Sequence, residues 1–280
     1  KVLRPGIYTT IQDLGRFGYA AMGVPISGAM DQFSANLANA ILNNPKNAAV
    51  LEITLGAASF EFLKPTLICI TGGDFSARLN GNTIPLHTAI SVQPGAILNL
   101  GKRHYGVRTY IGIKGGFQSQ KILGSQSFYS GITSQIRVQQ NDVIAYEAYT
   151  KKEEQAYASI KVNNKMYTSE SIVCFRGPEY NLLNEHQQEK LIETRFSISK
   201  DNNRMGYRLQ EELPNTLDEI FTAAVLPGTV QLTPSGKLIV LMRDCQVTGG
   251  YPRVLQLTEE AINILSQKTT DDTFSFELTT

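Results

Sequence analysis

The feature of this sequence that most constrains its fold is a succession of short apolar runs, each ended by glycine, proline or asparagine. Pro65–Thr71 is one such run, and Ala77–Leu79 and Thr83–Leu86 are two more. The last two flank Asn80 and Gly81, a dipeptide that supplies the positive φ angles of a tight hairpin turn. Many short strands separated by turns predict a mainly β protein built from sheets or barrels.

Three segments interrupt this β pattern and predict helices. They are Asp31–Asn43, Glu179–Ile192 and Thr258–Gln267. In each, apolar residues recur at helical spacing. The third has the clearest start, because Thr258 is a good N-cap and two glutamates follow it in the positive first turn. We therefore expect a β-rich architecture with a few peripheral helices.

The length of the chain leaves its domain organisation open. A chain of 280 residues exceeds the usual size of one hydrophobic core. The most polar stretch, Lys151–Asn164, is either a linker between two β-rich halves or a solvated hairpin on one of them. We predict an N-terminal half at residues 1–150, a possible linker at 151–168 and a C-terminal half at 169–280. The alternative that the halves interleave stays open.

The charge balance excludes two classes of partner. The chain has 26 basic and 25 acidic residues and a formal net charge of +1. No basic surface field is expected that would attract nucleic acid or an anionic membrane. Its apolar runs also fall short of the ~20 residues that span a bilayer. We predict no nucleic-acid partner and no membrane association.

The cysteines and histidines give no sign of a disulfide framework or a metal site. Cys69, Cys174 and Cys245 lie in separate apolar stretches, and no CxxC pair is present. An odd number of dispersed cysteines is typical of reduced, buried thiols in a cytoplasmic protein. The three histidines are too far apart in the sequence for ligand spacing. We predict no metal.

Several catalytic and cofactor signatures are missing from the sequence. It contains no GxxxxGK[ST] phosphate loop, no GxSxG nucleophile elbow, no HExxH zinc motif and no lysine in the Met-Lys-Met setting of a biotin carrier. If ATP or biotin takes part in the function, we expect another chain to supply it.

Four segments place polar side chains beside glycines, which is where chemistry is most expected. They are residues 9–19 (TTIQDLGRFGY), 23–31 (GVPISGAMD), 202–209 (NNRMGYRL) and 243–253 (RDCQVTGGYPR). In the first segment, glycines on both sides of Arg16 allow a sharp turn and a close approach to a ligand. Arg16 could pair with Asp13, or its guanidinium could bind a substrate carboxylate.

The second and third segments each have a functional and a structural interpretation. Ser27 and Asp31 lie in the segment that leads directly into the first predicted helix, where free N–H groups could hold an anion or an oxyanion. Alternatively, one of them only caps the helix. Arg204 and Arg208 could reach one anionic site from a bent strand, or both could be solvated.

The fourth segment follows an apolar run and predicts an extended continuation of it. In an extended chain Asp244, Gln246 and Thr248 would alternate onto one face, which could line a pocket.

Six sequence segments together resemble the allophanate hydrolase subunit 2 family, also called the biotin-dependent carboxyltransferase family. They are PGIYTTIQDLGRFGY, GVPISGAMD, LEITLG, NRMGYRL, LPGTVQ and TGGYP, in that order from Pro5 to Pro252. The resemblance implies a cyclophilin-like β-barrel fold. Two departures from the usual family pattern are Glu179, where Gln is common, and Gln126, where Arg is frequent.

The resemblance also implies an activity. Free-standing members of this length resemble a subunit of bacterial ATP-dependent 5-oxoprolinase, which opens 5-oxoproline to glutamate with an A-type subunit and a cyclophilin-like B-type subunit. ATP is then a cofactor of the complex, and no biotin is attached to this chain. Two alternatives stay open: a carboxyltransferase-type component of urea or allophanate metabolism, and a non-catalytic regulatory protein that antagonises a kinase inhibitor.

A small planar amide substrate needs anion binding, oxyanion stabilisation and proton transfer. The predicted catalytic residues are Asp13, Ser27, Asp31 and Asp244. The predicted substrate-binding residues are Arg16, Tyr19, Asn203, Arg204, Arg208, Gln246, Thr248 and Tyr251.

Overall fold

The computed structural model describes residues 1–151 and 162–279, and it confirms the mainly β fold class. Strands hold 35% of the residues and helices 13%. Contacts divide the chain into a first unit, Lys1–Gly15 with Asp31–Tyr167, and a second unit, Arg16–Met30 with Thr168–Thr280. Residues 152–161 of the possible linker lie outside the described residues, so the boundary at 151–168 stays a prediction.

The first unit contains two five-stranded sheets. Its strands are β1 (Val2–Pro5), β2 (Tyr8–Gln12), β3 (Val50–Thr54), β4 (Ala58–Glu61), β5 (Thr66–Asp74), β6 (Arg78–Leu79), β7 (Asn82–Thr83), β8 (Ile90–Val92), β9 (Ile97–Asn99) and β10 (Tyr105–Ile113). Its helices are α1 (Gln32–Ile41) and the short α2 (Lys165–Thr168), whose last residue belongs to the second unit. One sheet has the strand order β1-β4-β9-β6-β7 and the other β2-β3-β10-β5-β8.

The alternation of residues along β3 and β10 separates an apolar face from a polar one. Leu51 and Ile53 of β3, and Ile111 of β10, belong to the core that both sheets share. The residues between them point to the opposite face, because successive side chains of a strand alternate. Helix α1 packs on that face at Gly112, where a Cβ would come within 3.0 Å of the Ala38 Cβ. The second sheet therefore holds polar side chains under α1.

The second unit is built around a closed barrel. Its strands are β11 (Ser171–Arg176), β12 (Phe196–Asn202), β13 (Gly206–Glu212), β14 (Ala223–Ala224), β15 (Thr229–Leu232), β16 (Lys237–Leu241), β17 (Thr248–Gly249), β18 (Arg253–Leu257) and β19 (Thr273–Leu278). The barrel has the order β11-β18-β15-β16-β13-β12-β19, and β14 pairs with β17 in a separate ladder. Strands β19 and β11 close the barrel as a parallel pair, whereas its other pairs are antiparallel.

Apolar side chains at alternate strand positions fill the barrel, and the residues between them face its outside. Val230 and Leu232 of β15 lie in the core cluster with the aromatic residues of β12 and β19. Gln231, between them, points outward. Helices α3 (Glu185–Glu193) and α4 (Glu259–Ser266) also belong to this unit, as do the 3-10 helices Ala20–Met22 and Tyr180–Leu182.

The helices and the hairpin test the local predictions from sequence. The predicted cap of α4 is confirmed, since the Thr258 hydroxyl accepts the Ala261 N–H at 3.2 Å. The hairpin is confirmed as well, with φ angles of 50° at Asn80 and 84° at Gly81.

A single helix over Glu179–Ile192 is wrong. The 3-10 helix Tyr180–Leu182 ends at Leu183, whose extended backbone breaks the segment. Asn184 then forms a capping box with Gln187 that starts α3 as a separate helix.

The cysteines are free and buried, as predicted. Burial raises the pKa of the thiols of Cys69, Cys174 and Cys245 to about 12. At neutral pH these groups are therefore protonated and act as small apolar side chains. Within the described part of the chain, no helix is both long and apolar enough to cross a membrane.

Candidate functional site

Four buried residues meet where α1 begins on the polar face of the sheet, and we call them the helix-cap cluster. Asp31 and Ser34 belong to the start of α1, and Glu52 and Tyr110 to the strands beneath it. Asp31 is the N-cap of α1. Its Oδ1 accepts the Ser34 N–H at 3.0 Å, and its Oδ2 accepts the Ser34 hydroxyl at 2.5 Å. The structural interpretation of Asp31 as a cap is therefore confirmed. Its catalytic role stays a prediction.

Tyr110 connects the cap to the sheet. Its hydroxyl accepts the Asp31 N–H at 2.8 Å and donates to the Glu52 Oε2, also at 2.8 Å. Burial raises the pKa of Tyr110 well above its usual range, and the Glu52 and Asp31 carboxylates add to this effect. The phenol therefore stays protonated and keeps donating to Glu52. Arg108 lies on the same face, with its Nε 3.9 Å from the Glu52 Oε1.

Two further hydroxyl groups surround Ser34. The Tyr167 and Ser34 hydroxyl oxygens are 3.1 Å apart, and the Thr71 hydroxyl donates to the Ser34 carbonyl at 2.7 Å. Burial, with a smaller contribution from Asp31, raises the pKa of Tyr167 above its usual range. The Ser34 hydroxyl thus holds the Asp31 carboxylate, and the hydroxyls of Tyr167 and Thr71 surround Ser34 in turn.

Sequence reasoning did not select Tyr110 or Arg108 as site residues. The signal that could have found them is the presence of polar residues at alternate positions of the apolar strand Tyr105–Ile113. Glu52 interrupts the neighbouring apolar strand Val50–Thr54 in the same way. Register pairs Tyr110 directly with Glu52, which the sequence by itself does not specify.

Asp13 lies at the end of β2 in a saturated environment. Its carboxylate accepts the hydroxyls of Ser125 and Ser127 at 2.6 Å each, the Gly15 N–H at 2.8 Å and the Gln126 N–H at 2.7 Å. The side chain of Gln126, where the family often has Arg, donates to a backbone carbonyl at 3.1 Å. This environment suits an anchor for the 125–127 loop. A proton-transfer role for Asp13 stays a prediction.

In the second unit, Ser27, Arg204 and Asp244 form what we call the arginine–aspartate cluster. Nε and Nη2 of Arg204 donate to the two carboxylate oxygens of Asp244 at 2.8 and 2.9 Å. The Ser27 hydroxyl donates to the Asp244 Oδ1 at 2.7 Å, and Arg204 Nη2 also donates to the Gly28 carbonyl at 2.6 Å. Residues from three separate predicted segments thus meet around one buried carboxylate.

The backbone at Ser27 is strained. Ser27 has a φ of 59° and is fully buried. Non-glycine residues seldom adopt this region, and such residues cluster at functional sites. Its N–H donates to the Arg243 carbonyl at 3.0 Å, while the Arg243 side chain pairs with Glu259 of α4. The surrounding contacts therefore hold Ser27 in a conformation that it would not adopt alone.

The extended continuation predicted after β16 is wrong. The Cys245 N–H donates to the Met242 carbonyl at 3.0 Å, so the chain turns directly after β16. Asp244 is buried, Gln246 is half-buried and Thr248 is exposed. The three side chains therefore do not alternate on one face. Their proposed roles in binding stay predictions.

Arg208 and Asn203 are not part of the arginine–aspartate cluster. Arg208 is exposed on β13, whereas Arg204 is buried before that strand begins. The Asn203 Oδ1 accepts the N–H groups of Met205 and Gly206 at 2.7 and 3.2 Å. That geometry is typical of an Asx turn leading into β13.

The remaining predicted substrate-binding residues lie in the second unit. Arg16 is 1% exposed, and its N–H donates to the Ile26 carbonyl at 2.7 Å. Tyr19 and Tyr251 are half-buried. Within residues 1–151 and 162–279, no group of three or more His, Cys, Asp or Glu side chains is arranged to hold a metal ion.

Comparison with known proteins identifies the family of this chain. The family described as "Carboxyltransferase domain, subdomain A and B" matches residues 22–278. The chain belongs to this carboxyltransferase family, as the six sequence segments predict.

Two curated relatives cover almost the whole chain. The chain is 32% identical over 274 residues to the C-type subunit of 5-oxoprolinase from Escherichia coli (strain K12), which is 95% of this chain and 87% of that protein. It is 29% identical over 276 residues to the C-type subunit of 5-oxoprolinase from Haemophilus influenzae, with coverages of 96% and 87%. Urea amidolyase of Saccharomyces cerevisiae is 43% identical over 131 residues, which is 46% of this chain and 7% of that protein.

Solved structures show the same fold in longer chains. The protein TTHA0988 superimposes with a TM-score of 0.86 at 26% identity, covering 99% of this chain and 54% of that chain. Urea amidolyase of K. lactis superimposes with a TM-score of 0.82 at 27% identity, covering 99% and 18%. The chain thus spans about half the length of one solved relative and a smaller part of the other.

Proposed function

We propose that this chain is a subunit of an ATP-dependent 5-oxoprolinase, which hydrolyses 5-oxoproline to glutamate together with partner subunits. The observation that carries the proposal is the extent of the match. The similarity to the C-type subunit of 5-oxoprolinase covers 95% of this chain and 87% of the relative. The match to urea amidolyase covers less than half of this chain and a small part of a much larger protein.

The arginine–aspartate cluster supports a binding role for Arg204 in this activity. Asp244 accepts three side-chain hydrogen bonds, two from Arg204 and one from Ser27. A carboxylate so occupied fixes the orientation of the guanidinium. We therefore assign Asp244 to orienting Arg204 and Ser27, and Arg204 to anion binding.

ATP and the remaining subunits belong to the proposal at the level of the complex. The chain lacks a phosphate-loop motif, so we assign ATP binding to a partner. The partners would be an A-type subunit and a cyclophilin-like B-type subunit, and the complex would be cytoplasmic. We propose that no biotin is attached to this chain, because it lacks the carrier lysine motif.

Reconstitution tests the proposal directly. The three-subunit mixture is expected to release glutamate and ADP from 5-oxoproline and ATP, and omission of this chain is expected to abolish the coupled reaction. Arg204→Lys keeps the charge but loses the two-pronged geometry, so kcat/KM is expected to fall about 100-fold. Arg195→Ala is the matched control, because Arg195 is 60% exposed in a surface ion pair.

Two outcomes would contradict this assignment. Coupled hydrolysis at an undiminished rate without this chain would remove it from the enzyme. Wild-type kcat/KM in Arg204→Lys would remove Arg204 from the substrate site. Thermal unfolding of each variant, measured in parallel, separates lost activity from lost folding.

A carboxyltransferase role in urea metabolism is the second candidate, and the higher local identity of 43% to urea amidolyase favours it. It predicts transfer of a carboxyl group from a separate biotinylated carrier to urea when this chain is added. The test measures radiolabelled carboxyl transfer with and without the chain. Transfer that depends on the chain, combined with no 5-oxoproline turnover, would replace the first proposal with the second.

A further inference from the structure

Gln231 of β15 has a buried side-chain nitrogen that lacks a hydrogen-bond partner among the residues the structure describes. The side chain is 2% exposed, and its Nε2 has no partner in the described part of the chain. Burying an amide without a hydrogen bond costs about 1–3 kcal/mol. Native proteins seldom retain such a group unless it has a task.

The surrounding backbone is arranged around this amide. The pairing of β15 with β18 shifts register between Val230 and Gln231, and such bulges commonly re-aim a side chain. On the outer face of the barrel the Gln231 amide lies against Gly249 of β17. A Cβ on Gly249 would come within 2.5 Å of the Gln231 Nε2 and 3.4 Å of a Val225 methyl group. A side chain at position 249 would displace the amide from this place.

Gln256 of β18 provides an internal comparison. It also lies on the barrel next to a glycine, Gly228. Its Oε1 accepts the Thr229 hydroxyl at 2.8 Å, and its Nε2 donates to the Pro227 carbonyl at 2.9 Å. Gln256 is therefore satisfied within the protein, whereas the Gln231 Nε2 is not. The difference points to a ligand for Gln231.

We infer that Gln231 recognises the amide group of the substrate. A carboxamide presents a donor and an acceptor side by side, which complements the N–H and C=O of a cis amide. Both 5-oxoproline and urea contain such a group. The Gln231 Nε2 would donate to the substrate carbonyl, and its Oε1 would accept the substrate N–H. The inference rests on the proposed function and names a specificity residue for it.

The short ladder between β14 and β17 contributes Gly249, which lies against this amide, so the proposal requires this ladder to yield when a ligand binds. The ladder pairs Ala223 with Gly249 and Ala224 with Thr248. A ladder of two residues per strand has little intrinsic stability, and ligand-binding segments are drawn from such parts of a fold. Val225, which follows β14, packs with Leu241 and Cys245 in a small apolar cluster.

The test compares Gln231→Met with Gln256→Met in the reconstituted complex. Met is close to Gln in shape but cannot form hydrogen bonds. Gln231→Met is expected to leave the unfolding temperature unchanged or higher, because it removes an unsatisfied amide. It is expected to raise KM for 5-oxoproline about tenfold. Gln256→Met is expected to lower the unfolding temperature and leave KM unchanged.

N-methyl-5-oxoproline tests the pairing itself. It lacks the N–H that the Gln231 Oε1 would accept. The wild-type complex is expected to bind it at least tenfold more weakly than 5-oxoproline, measured as an inhibition constant, and Gln231→Met is expected to lose this discrimination. Gly249→Ala should raise KM by displacing the amide. Gly250→Ala is its control, since the nearest atom to a Cβ there is 3.5 Å away.

The outcomes separate this inference from the proposed function. If the wild-type complex turns over 5-oxoproline and Gln231→Met keeps its KM and its discrimination, the inference is wrong and the function stands. Equal destabilisation by Gln231→Met and Gln256→Met would also overturn it, because Gln231 would then have a structural partner. If the complex does not turn over 5-oxoproline, the inference about Gln231 is tested separately, by calorimetric titration of the chain with 5-oxoproline and with urea. Binding that Gln231→Met weakens supports the inference, and binding of neither ligand refutes it.

Discussion

Removing the Tyr110 hydroxyl tests whether the helix-cap cluster is a connected network. In Tyr110→Phe the ring stays in the core, so little apolar packing changes. The Asp31 N–H loses its acceptor at 2.8 Å, and the Glu52 carboxylate loses a donor at the same distance. Asp31 and Glu52 each expose at most 1% of their surface to solvent. Water therefore cannot readily replace the lost hydroxyl.

The expected cost follows from these two losses. An unsatisfied buried N–H costs about 1–3 kcal/mol, and a hydrogen bond to a charged group contributes about 1.5–3 kcal/mol. We expect Tyr110→Phe to lower the free energy of unfolding by about 3–5 kcal/mol. Tyr146→Phe is the matched control, because that hydroxyl also bridges two groups, the Lys64 carbonyl and N–H, at 2.9 Å each. Both of its partners are neutral, so we expect a cost of about 1–2 kcal/mol.

Two measurements check this difference. Urea denaturation compares the two variants within the same unit of the chain. Amide hydrogen exchange at Asp31 is the more direct measurement, since the Tyr110 hydroxyl is the acceptor of that N–H. We expect faster exchange at Asp31 in Tyr110→Phe and unchanged exchange there in Tyr146→Phe.

A double-mutant cycle with Glu52→Gln completes the test. If Tyr110 and Glu52 are coupled, the two substitutions together should cost less than their sum, by more than about 0.5 kcal/mol. Additive costs, or equal costs for Tyr110→Phe and Tyr146→Phe with unchanged exchange at Asp31, would refute the network.

Two other perturbations follow from the second unit. Hydrogen bonds from Arg253 hold the pKa of Glu179 below its usual value. The pair therefore stabilises the fold at pH values above the ordinary glutamate pKa of about 4.3. This stabilisation is lost as the pH falls through the lowered pKa. We therefore expect Glu179→Gln to lower the free energy of unfolding by about 1 kcal/mol at pH 7. In urea denaturation below about pH 4.3, the variant should lose less stability with falling pH than the wild type does. Parallel plots of unfolding free energy against pH for the two proteins would contradict this. Gly177→Ala would place a Cβ 2.1 Å from the Arg253 carbonyl oxygen, and we expect it to lower the free energy of unfolding by more than about 3 kcal/mol. Gly101→Ala is the control, because the nearest atom to a Cβ at that position is 3.7 Å away. It should change the free energy of unfolding by less than about 1 kcal/mol. Similar losses in both variants would show that the close approach to Arg253 is not the cause.

Local signals in the sequence predicted the strands, the hairpin and the cap of α4 well, because these depend on nearby residues. Asn80 and Gly81 supply the positive φ that their turn needs, and Thr258 caps α4. The continuous helix over Glu179–Ile192 failed for a local reason too. Apolar spacing through Leu182 and Leu183 masked the capping signal of Asn184 and Gln187.

The candidate sites were only partly predictable, because their geometry depends on residues far apart in the sequence. Ser27 and Asp244 are 217 positions apart and meet through a single hydrogen bond. Each was selected for its local setting, but neither setting names the other as a partner. The alternation expected from Asp244 to Thr248 failed because the chain turns after β16, and no proline or glycine marks that turn before Gly249. Tyr110 escaped notice because a tyrosine in a strand is ordinary until its register with Glu52 is known.

The way the barrel closes has a consequence for biosynthesis. Strand β19 pairs with β11, about 100 residues earlier, and with β12, and it follows every other barrel strand in the sequence. During translation the other barrel strands can therefore form only an open sheet, whose edge strands β11 and β12 each keep one unpaired edge until β19 is synthesised. Open edges recruit other strands, and the wait is a period of exposure to aggregation. A substitution that slows the docking of β19 would lower the yield of folded protein even if it leaves the finished barrel equally stable.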